Sequence, residues 1–340
     1  MKYKLFGRSG MRVSEICLGT MTFGLEWGWG SDKESSKKVF DTYTNAGGNF
    51  IDTANRYTEG TSEEYVGEFI ANERDHFVLA TKYTLYDKLG DPNFSGNHRK
   101  NMVRSVQDSM MRMNTDHIDL LWVHAWDFTT PEDEVMRALD DLIRWGDVHH
   151  IGISDTPAWV IAKSNTLAEL KGWTQFVGVQ VEYSLLERTI EREIVPMANA
   201  YKMAITPWGP LAGGVLTGKY LNDNGEEKRI ADSDNKRLSP ESTEIVKAFL
   251  NIAKKLEVSP AQLALRWVMQ KGNNIIPIIG ARKESQLMDS LGALKFEIPS
   301  DTMLELDEIS KIEMGFPHEF LTNDRIREIV FGGTDNEIIR

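Results

Sequence analysis

The sequence predicts an α/β fold in which eight parallel strands close into a (β/α)8 TIM barrel. Eight short apolar runs recur along the chain, and segments with helix signals separate them. The runs are continuous rather than alternating, a pattern that is typical of parallel strands covered on both faces. Alternating strands and helices indicate an α/β fold, and the count of eight favours a closed barrel.

The expected strands are short, and almost every one is followed by a polar or aromatic residue. In chain order they are Ile16–Gly19, Asn49–Asp52, Phe77–Thr81, Ile118–Val123, His149–Ile153, Val177–Val181, Met203–Thr206 and Ile275–Ile279. Helix signals lie between them. Thr61 and Glu64 form a capping-box pattern, and Ser259 precedes Pro260, which suits the first helical position. The segment Glu132–Trp145 has its apolar residues at helical spacing.

The chain has features beyond a minimal barrel, within a single domain that spans residues 1–340. Met1–Val13 is expected to form a small N-terminal hairpin that covers the barrel floor. A polar loop, Asn222–Ser239, and an extra helix near Pro240–Leu256 separate the seventh and eighth strands. A long C-terminal tail follows Gly315. Long loops on a compact domain are usually functional or disordered.

Composition restricts the partners and the compartment that we expect. The chain has 39 Lys and Arg against 51 Asp and Glu, so its net charge is −12 and nucleic acid is not an expected partner. The single cysteine, Cys17, forms no internal disulfide and suits a reducing compartment. Met1–Val13 lacks the apolar core of a signal peptide, and no apolar run approaches the ~18 residues of a membrane span. We expect a cytoplasmic protein without a membrane partner.

Chemically reactive side chains follow three successive predicted strands. In a barrel, the residues just past the carboxyl ends of the strands line the active site. Asp52, Lys82 and His124 occupy such positions, and Tyr57 lies five positions after Asp52. Each residue alone has an ordinary explanation. Asp52 could cap the next turn, Lys82 could be a solvated cation, His124 could be a hydrogen-bonded histidine at a strand end, and Tyr57 could be a loop aromatic. Together, a convergent Asp, Lys, His and Tyr indicate a catalytic site.

Several motifs give the sequence a family resemblance. The segment Asn49–Tyr57, followed by Gly60, Glu63 and Gly67, resembles the signature of the aldo-keto reductases. Five further motifs of that family follow in the same order: Ala80–Lys82, Leu121–His124, Gly152–Ser154, Val179–Tyr183 and Ile278–Arg282. The chain is most similar to the bacterial and fungal aryl-alcohol-dehydrogenase-like reductases, which are related to the β subunits of potassium channels.

The resemblance implies reduction of aldehydes and ketones to alcohols with NADPH. Hydride addition to a carbonyl creates an alkoxide, which requires a proton donor and electrostatic stabilisation. The family implies that Tyr57 is the general acid and that the ammonium of Lys82 favours its ionised form. Asp52 would hold Lys82 charged and in place, and His124 would orient the carbonyl oxygen. A small-molecule carbonyl compound is therefore the expected substrate.

The resemblance also implies where the nicotinamide contacts the chain. No G-x-G-x-x-G follows the first strand, so a Rossmann site is not indicated, and NADPH would lie across the barrel mouth. Trp208 would stack on the ring. Asp155 stands where the family usually has Asn, so it can accept from the carboxamide but cannot donate to it. The contacts expected on this side are Gly19, Thr20, Met21, Asp52, Ser154, Asp155, Gln180 and Trp208.

A glycine-rich segment is expected to bind the phosphates. Gly213–Tyr220 nearly matches a P-loop, but Tyr220 stands where Ser or Thr must reach magnesium. It fits better as a loop over the pyrophosphate, with Lys219 neutralising charge. By resemblance, Arg282 meets the 2′-phosphate and Gln286 lies near the adenine. The remaining expected cofactor contacts are Gly209, Pro210, Leu211, Gly213, Gly280 and Ser290, the last in place of the family's usual Asn.

Aromatic residues concentrate in the loops after the first and fourth strands. They would line an apolar pocket suited to aromatic or bulky carbonyl compounds. The expected pocket residues are Phe23, Trp27, Trp29, Trp126 and Phe128. The adjacent His149 and His150 could suggest a metal, but neighbours in a strand point to opposite faces, so we assign no metal site.

Two other functions compete with carbonyl reduction. A regulatory barrel, which binds NADPH as a sensor like a potassium-channel β subunit, is disfavoured because all four catalytic residues are present. A metal- or phosphosugar-dependent barrel enzyme is disfavoured because carboxylates at strand ends are few, namely Asp52, Asp155 and Glu182.

Overall fold

Eight parallel strands form the barrel that the sequence predicts. The computed structural model describes residues 1–221 and 236–339. The strands are a hairpin pair, β1 (Tyr3–Leu5) and β2 (Arg12–Ser14), and the barrel strands β3 (Cys17–Gly19), β4 (Phe50–Asp52), β5 (Val78–Tyr83), β6 (Ile118–Val123), β7 (Val148–Ser154), β8 (Gly178–Glu182), β9 (Ala204–Trp208) and β10 (Ile278–Ile279). Pairing runs in the order β10-β3-β4-β5-β6-β7-β8-β9. The Ile276 amide donates to the Ile205 carbonyl at 2.9 Å, which closes the sheet between β9 and the segment before β10.

Helices cover the outside of the barrel, as the alternating pattern predicts. They are α1 (Lys33–Asn45), α2 (Thr61–Ile70), α3 (Arg99–Met113), α4 (Glu132–Trp145), α5 (Ala158–Lys171), α6 (Ile194–Ala200), α7 (Pro240–Lys255), α8 (Pro260–Gln270), α9 (Glu284–Leu291), α10 (Ser300–Ile309), α11 (His318–Thr322) and α12 (Asp324–Phe331). The extra helix expected near Pro240–Leu256 is α7, and the C-terminal tail carries α11 and α12. The polar loop expected at Asn222–Ser239 lies largely outside the described residues. None of the helices described is long and apolar enough to cross a membrane.

Helix starts agree with the sequence signals at α8 and differ at α2. Ser259 caps α8 as expected, because its hydroxyl accepts an amide hydrogen bond of 3.1 Å from the first turn. The capping box expected for Thr61 with Glu64 is wrong. Gly60, with a φ of 99° and no side chain to cap with, precedes α2, and Thr61 instead donates to Glu26 Oε1 at 2.6 Å. Glycine adopts this left-handed conformation without strain, so the chain enters α2 directly from the preceding turn.

The N-terminal hairpin closes the barrel floor, as expected. Phe6, in the hairpin loop, is fully buried inside the barrel and packs edge-on against Phe50 at 5.5 Å and Trp122 at 6.2 Å between ring centroids. Two glycines make room for these rings. A Cβ on Gly178 would lie 2.6 Å from the Phe6 ring, and one on Gly152 would lie 2.3 Å from the Trp122 ring. The interior is therefore a packed core at its amino end, and only the carboxyl end is open to chemistry.

Candidate active site

The carboxyl end of β5 places a charged side chain inside the barrel. Val78 and Ala80 belong to the interior core, and alternation along the strand directs Lys82 to the same side. Lys82 and Asp52 are 1% and 2% exposed, and Lys82 Nζ lies 2.5 Å from Asp52 Oδ2. The Thr53 carbonyl accepts a second hydrogen bond from this ammonium at 2.8 Å. Buried charges persist only when they are paired and hydrogen-bonded, so these contacts fix the ammonium in place.

Asp52 is held through both of its oxygens. Its Oδ1 accepts a hydrogen bond of 3.0 Å from Gln180 Nε2, on β8 across the barrel. Burial by itself lowers the pKa of Lys82, but the charge of Asp52 and the neighbouring Tyr57 hydroxyl outweigh burial, and the net pKa is raised. Lys82 therefore remains an ammonium throughout the neutral range. Removing one partner of such a pair typically costs about 3–5 kcal/mol.

Tyr57 lies beside this pair, at the start of a strained turn. Lys82 Nζ is 4.8 Å from the centroid of the Tyr57 ring. The next two residues, Thr58 and Glu59, have φ angles of 47° and 57°, a left-handed conformation that a β-branched residue seldom adopts. The Thr58 hydroxyl donates to the Phe23 carbonyl at 2.6 Å and helps to hold the turn. Strain of this kind, on the order of 1–3 kcal/mol per residue, concentrates at functional sites.

The surroundings of Tyr57 keep its phenol protonated at neutral pH. Burial raises the pKa of Tyr57, the charge of Lys82 lowers it, and the net pKa is raised. The expected influence of Lys82 is therefore present, but burial exceeds it. A protonated phenol next to a fixed ammonium is a proton donor whose product, a phenolate, is stabilised by that ammonium.

His124 packs edge-on against Tyr57. The two ring centroids lie 5.9 Å apart at an interplanar angle of 84°, and the His124 amide donates to the Tyr83 carbonyl at 3.1 Å. Burial and the charge of Lys82 hold the pKa of His124 well below its usual value. Its Nδ1 is buried without a hydrogen-bond partner among the described residues. A neutral imidazole has one N–H to donate, so His124 can bind an oxygen without adding charge to the site.

Two of the residues expected at the nicotinamide are bonded to each other. Trp208, at the end of β9, donates from Nε1 to Asp155 Oδ1 at 3.0 Å. Asp155 follows β7 with a φ of 42°, and burial raises the pKa of its carboxyl. The carboxylate that we expected to meet the carboxamide therefore positions the indole in this structure. Ser154, which ends β7, is buried beside it.

The cofactor contacts expected at the end of β3 lie where the first barrel strand, β3, pairs with the last, β10. Gly19 has no room for a side chain, because a Cβ there would lie 2.6 Å from Ile278 Cγ2. The Thr20 hydroxyl donates to the Asp52 carbonyl at 3.1 Å, and Met21 follows it in the loop. Gly280 comes directly after β10.

Further hydrogen bonds, which the sequence did not reveal, tie the first loop to the last. The Thr22 hydroxyl donates to the Ala281 carbonyl at 2.9 Å. The Ser31 hydroxyl donates to the Arg282 carbonyl at 3.1 Å. The rim of the barrel is therefore braced at the seam between β3 and β10.

A glycine-rich turn follows β9, at the expected phosphate loop. Gly209, Gly213 and Gly214 have φ angles of 65°, 68° and 90°, and Pro210 and Leu211 lie between the first two. A Cβ on Gly209 would meet no atom within 4 Å, whereas one on Gly214 would lie 2.9 Å from Cε of Lys219. Backbone amides in turns with left-handed residues are suited to binding anions, and the Lys219 side chain places a positive charge next to Gly214 in this turn.

The α9 region carries the residues that were expected at the 2′-phosphate and the adenine, namely Arg282, Gln286 and Ser290. Arg282 and Lys283 precede the helix, and Gln286 Oε1 accepts from their backbone amides at 3.0 and 3.3 Å. Gln286 therefore caps the helix through its oxygen. Ser290 is buried on the same helix at 7% exposure. The positive end of a helix, with two cationic side chains next to it, is suited to a phosphate.

The structure separates the five aromatic residues expected in the substrate pocket. Trp27 and Trp29 pack together at 5.7 Å between centroids, and Trp27 lies 6.3 Å from the Tyr57 ring. Phe23 does not line the pocket: it is fully buried in the core and packs against Phe69 at 6.2 Å. Trp126 also joins the core at 8% exposure, whereas Phe128 is 67% exposed.

Arg56 braces the aromatic wall beside Tyr57. Its guanidinium lies 4.4 Å from the Tyr86 ring and 5.7 Å from the Trp27 ring, and it forms an ion pair with Glu59. Glu59 also accepts from Trp27 Nε1 at 3.2 Å. The left-handed turn after Tyr57 thus helps to hold Trp27 beside the Tyr57 ring, a contact that the sequence did not indicate.

Comparison with known proteins identifies the family. The model of the Aldo/keto reductase family matches residues 15–311, and the chain belongs to that family. An aryl-alcohol dehydrogenase of Pestalotiopsis microspora is 37% identical, over 92% of this chain and 82% of its own length. A norsolorinic acid reductase of Aspergillus flavus is 38% identical, over 93% and 83%. An aryl-alcohol dehydrogenase [NADP(+)] of Phanerodontia chrysosporium is 38% identical, over 91% and 86%. The protein is accordingly an oxidoreductase of the carbonyl-reducing kind.

Proposed function

We propose that this protein reduces aldehydes and ketones to alcohols with NADPH, and that Tyr57 is the general acid. The observation that carries the proposal is the arrangement at the carboxyl end of the barrel. There a protonated phenol lies beside the buried ion pair of Lys82 and Asp52, with the neutral imidazole of His124 against its edge. A fixed cation, an acid and a neutral hydrogen-bond donor are the groups that a developing alkoxide requires.

The residues at the barrel mouth fit a phosphorylated dinucleotide. NADPH, when bound, supplies the hydride that adds to the carbonyl carbon. In the proposed complex, Ser154, Gln180 and the indole of Trp208 hold the nicotinamide side. The turn that begins at Gly209, with Lys219, binds the pyrophosphate. The proposal is supported by the open space above Gly209 and by the NADP(+) named for one relative.

The 2′-phosphate distinguishes NADPH from NADH, and we assign it to the start of α9. Arg282 and Lys283 supply two positive charges there, and the amino end of the α9 dipole adds partial positive charge. The Gln286 oxygen is occupied in capping this turn. Arg282 is therefore the residue on which the preference for NADPH depends most.

The proton follows a short route within the chain. Tyr57 Oη gives its proton to the carbonyl oxygen as negative charge develops there, so the phenolic O–H bond breaks and the alcohol O–H bond forms. The Lys82 ammonium stabilises the phenolate, and Asp52 keeps the ammonium in position. The His124 imidazole donates a hydrogen bond to the same oxygen. The phenolate then recovers a proton from solvent.

Aromatic carbonyl compounds are the substrates that the site favours. Trp27 and Trp29 form an aromatic wall beside Tyr57, and stacked or edge-on contacts between rings contribute about 0.5–1.5 kcal/mol each. The names of the relatives, two aryl-alcohol dehydrogenases and a norsolorinic acid reductase, agree with this class.

The proposal is tested by turnover of 4-nitrobenzaldehyde. The purified protein is expected to oxidise NADPH in proportion to the 4-nitrobenzyl alcohol formed, and to oxidise none when the aldehyde is omitted. Tight binding of NADPH without turnover of a panel of aromatic and aliphatic aldehydes would contradict the proposal. That outcome would instead favour a regulatory barrel.

A further inference from the structure

A group of potential metal ligands lies at the end of the barrel opposite to the active site. Among residues 1–221 and 236–339, His117, Asp119 and His149 each offer one ligand atom, and these three atoms lie within 4.8 Å of one another. We propose that these residues form a binding site for a divalent transition-metal ion, with Zn²⁺ as the best match. The proposal is independent of the carbonyl-reducing function and revises the expectation that no metal binds.

Strand pairing explains why these residues meet. β6 pairs with β7 in the register Ile118↔Val148 and Leu120↔His150, so Asp119 and His149 lie side by side near the amino ends of the two strands. Leu120 belongs to the interior core, so by alternation the Asp119 side chain points to the outer face of the sheet. His150, the neighbour of His149 in β7, points the other way, whereas the partners of His149 lie on β6 and directly before it.

The distances suit a shared ion better than direct hydrogen bonds. Asp119 Oδ1 lies 3.6 Å from His149 Nδ1 and 3.9 Å from His117 Nε2, both too long for a hydrogen bond. Bonds of ~2.0–2.1 Å in a tetrahedral zinc site place ligand atoms about 3.4 Å apart. The rings of His117 and His149 are stacked, with 4.5 Å between their centroids and 23° between their planes. Both rings therefore have to turn as well as shift before their nitrogens converge on a common ion.

Neighbouring groups already orient two of the three ligands. Asp116 Oδ1 lies 2.6 Å from His117 Nδ1, which favours the tautomer whose Nε2 lone pair faces Asp119. Carboxylate–histidine pairs of this kind are usual around bound zinc. Asp119 Oδ2 is held by the Leu79 amide at 2.9 Å and by Arg74 at 2.8 Å. Oδ1 is thereby left facing the two histidines.

The ligand set selects the class of metal. Two imidazoles and one carboxylate suit Zn²⁺ and other borderline ions such as Co²⁺ and Ni²⁺, whereas Mg²⁺ and Ca²⁺ prefer oxygen ligands alone. His149 is about half exposed, with 48% of its side chain accessible, so an ion can enter and a water molecule can complete the coordination. A metal here joins β7 to β6 and to the segment before it. Its expected effect is on stability and not on turnover.

The test is calorimetric titration of the untagged, EDTA-treated and dialysed protein with zinc sulfate. We expect one ion per chain and a melting temperature that rises with zinc concentration, because binding to the native state alone stabilises it. His149→Ala is expected to weaken zinc binding by at least about 100-fold, since each ligand contributes several kcal/mol to such sites. Asp116→Ala is expected to weaken it about 10- to 100-fold through loss of the orienting bond.

The matched control is His318→Ala, which removes another partly exposed histidine that faces a carboxylate, that of Glu193 at 3.0 Å. This variant should bind zinc as the wild type does, and all three variants should keep wild-type NADPH binding, which shows that they are folded. Magnesium chloride should produce no shift in melting temperature. The proposal is overturned if the wild type shows no saturable zinc binding. It is equally overturned if His149→Ala retains the affinity, or if His318→Ala loses as much of it.

Discussion

The two ends of the barrel interior are built by different means. At the amino end, the hairpin inserts Phe6 against Phe50 and Trp122, and the contacts are apolar and fully buried. At the carboxyl end, Lys82 and Asp52 bury opposite charges that are held by each other and by single, directed hydrogen bonds. The stability of an apolar core depends on the volume of its side chains, whereas the stability of a buried ion pair depends on keeping both charged groups.

This difference separates stability from reactivity within one fold. The amino end supplies a rigid base, and the carboxyl end holds strained and charged groups over that base. Substitutions at the carboxyl end that leave the Lys82–Asp52 ion pair intact should therefore impair turnover more than folding, and substitutions at the floor should do the reverse.

Replacing Tyr57 should produce the largest effect on turnover. Tyr57→Phe removes the proton donor but keeps the ring against His124. We expect kcat for 4-nitrobenzaldehyde to fall about 10²- to 10⁴-fold, with the Kd for NADPH unchanged. Tyr86→Phe is the control, since Tyr86 is a nearby phenol whose hydroxyl bonds to Arg56 at 2.8 Å, and it should stay within a few-fold of the wild type. A Tyr57→Phe protein with most of its activity would remove Tyr57 from the mechanism.

Truncating Phe6, which fills the amino end of the barrel, should produce the largest effect on stability. Phe6→Ala empties a fully buried site between two aromatic rings, and such truncations cost about 3–5 kcal/mol. The free energy of unfolding, measured in urea, should fall by that amount, while kcat at a temperature where the variant is folded should remain near the wild-type value. Leu89→Ala, at a position that is 81% exposed, should change stability by less than about 0.5 kcal/mol. A loss of activity without a loss of stability would break the comparison.

Removing the Arg282 side chain should alter the preference for NADPH over NADH, an effect smaller than that of Tyr57→Phe on turnover. A hydrogen bond to a charged group contributes about 1.5–3 kcal/mol. Arg282→Ala should therefore weaken the binding of NADPH by about 10- to 100-fold and leave the affinity for NADH nearly unchanged. The loss should shrink at high salt if the contact is partly exposed. Lys283→Ala provides a comparison in which the neighbouring cation is removed and Arg282 is kept. Equal losses of NADPH and NADH affinity in Arg282→Ala would assign Arg282 to the fold or to the pyrophosphate.

The smallest expected effect is the contribution of His124 to the pH dependence of stability. Burial and the charge of Lys82 hold its pKa well below the usual value, whereas in the unfolded chain histidine titrates near ~6.5. Below that pH the unfolded state binds a proton that the folded state lacks, so His124 makes stability fall as pH decreases. His124→Gln should therefore lose less stability than the wild type between pH 7 and pH 5, as measured by urea midpoints. Equal losses would show that His124 titrates normally in the folded protein.

The proximity of the residues that we propose as catalytic was predictable, because a parallel barrel brings the carboxyl ends of its strands together. Asp52 and Lys82 lie at the carboxyl ends of the neighbouring strands β4 and β5, and their side chains meet at 2.5 Å. Strand limits were less accurate where pairing is irregular. The last strand is only Ile278–Ile279, although the apolar run begins at Ile275, because Ile275 forms an isolated bridge to Ile205 instead.

The loops around the site were harder to predict, since the sequence does not show which way a loop side chain turns. Phe23 and Trp27 are both aromatic and close in sequence, yet Phe23 enters the core and Trp27 approaches Tyr57. The left-handed φ of Thr58 has no signal in residue type. The hydrogen bond between Asp155 and Trp208 joins residues far apart in the chain and depends on β7 and β9 lying on either side of β8 in the sheet.

The most direct test of the central claim follows the hydride itself. Two samples of NADPH are prepared, each deuterated at C4 on one face of the nicotinamide. Each is incubated with the protein and 4-nitrobenzaldehyde, and the alcohol is analysed by mass spectrometry. Transfer at the carboxyl end of the barrel predicts one deuterium in the alcohol from one of the two labelled cofactors, at a rate that Tyr57→Phe strongly reduces. Alcohol without deuterium from either labelled cofactor, or labelling that is unaffected in Tyr57→Phe, would contradict the account.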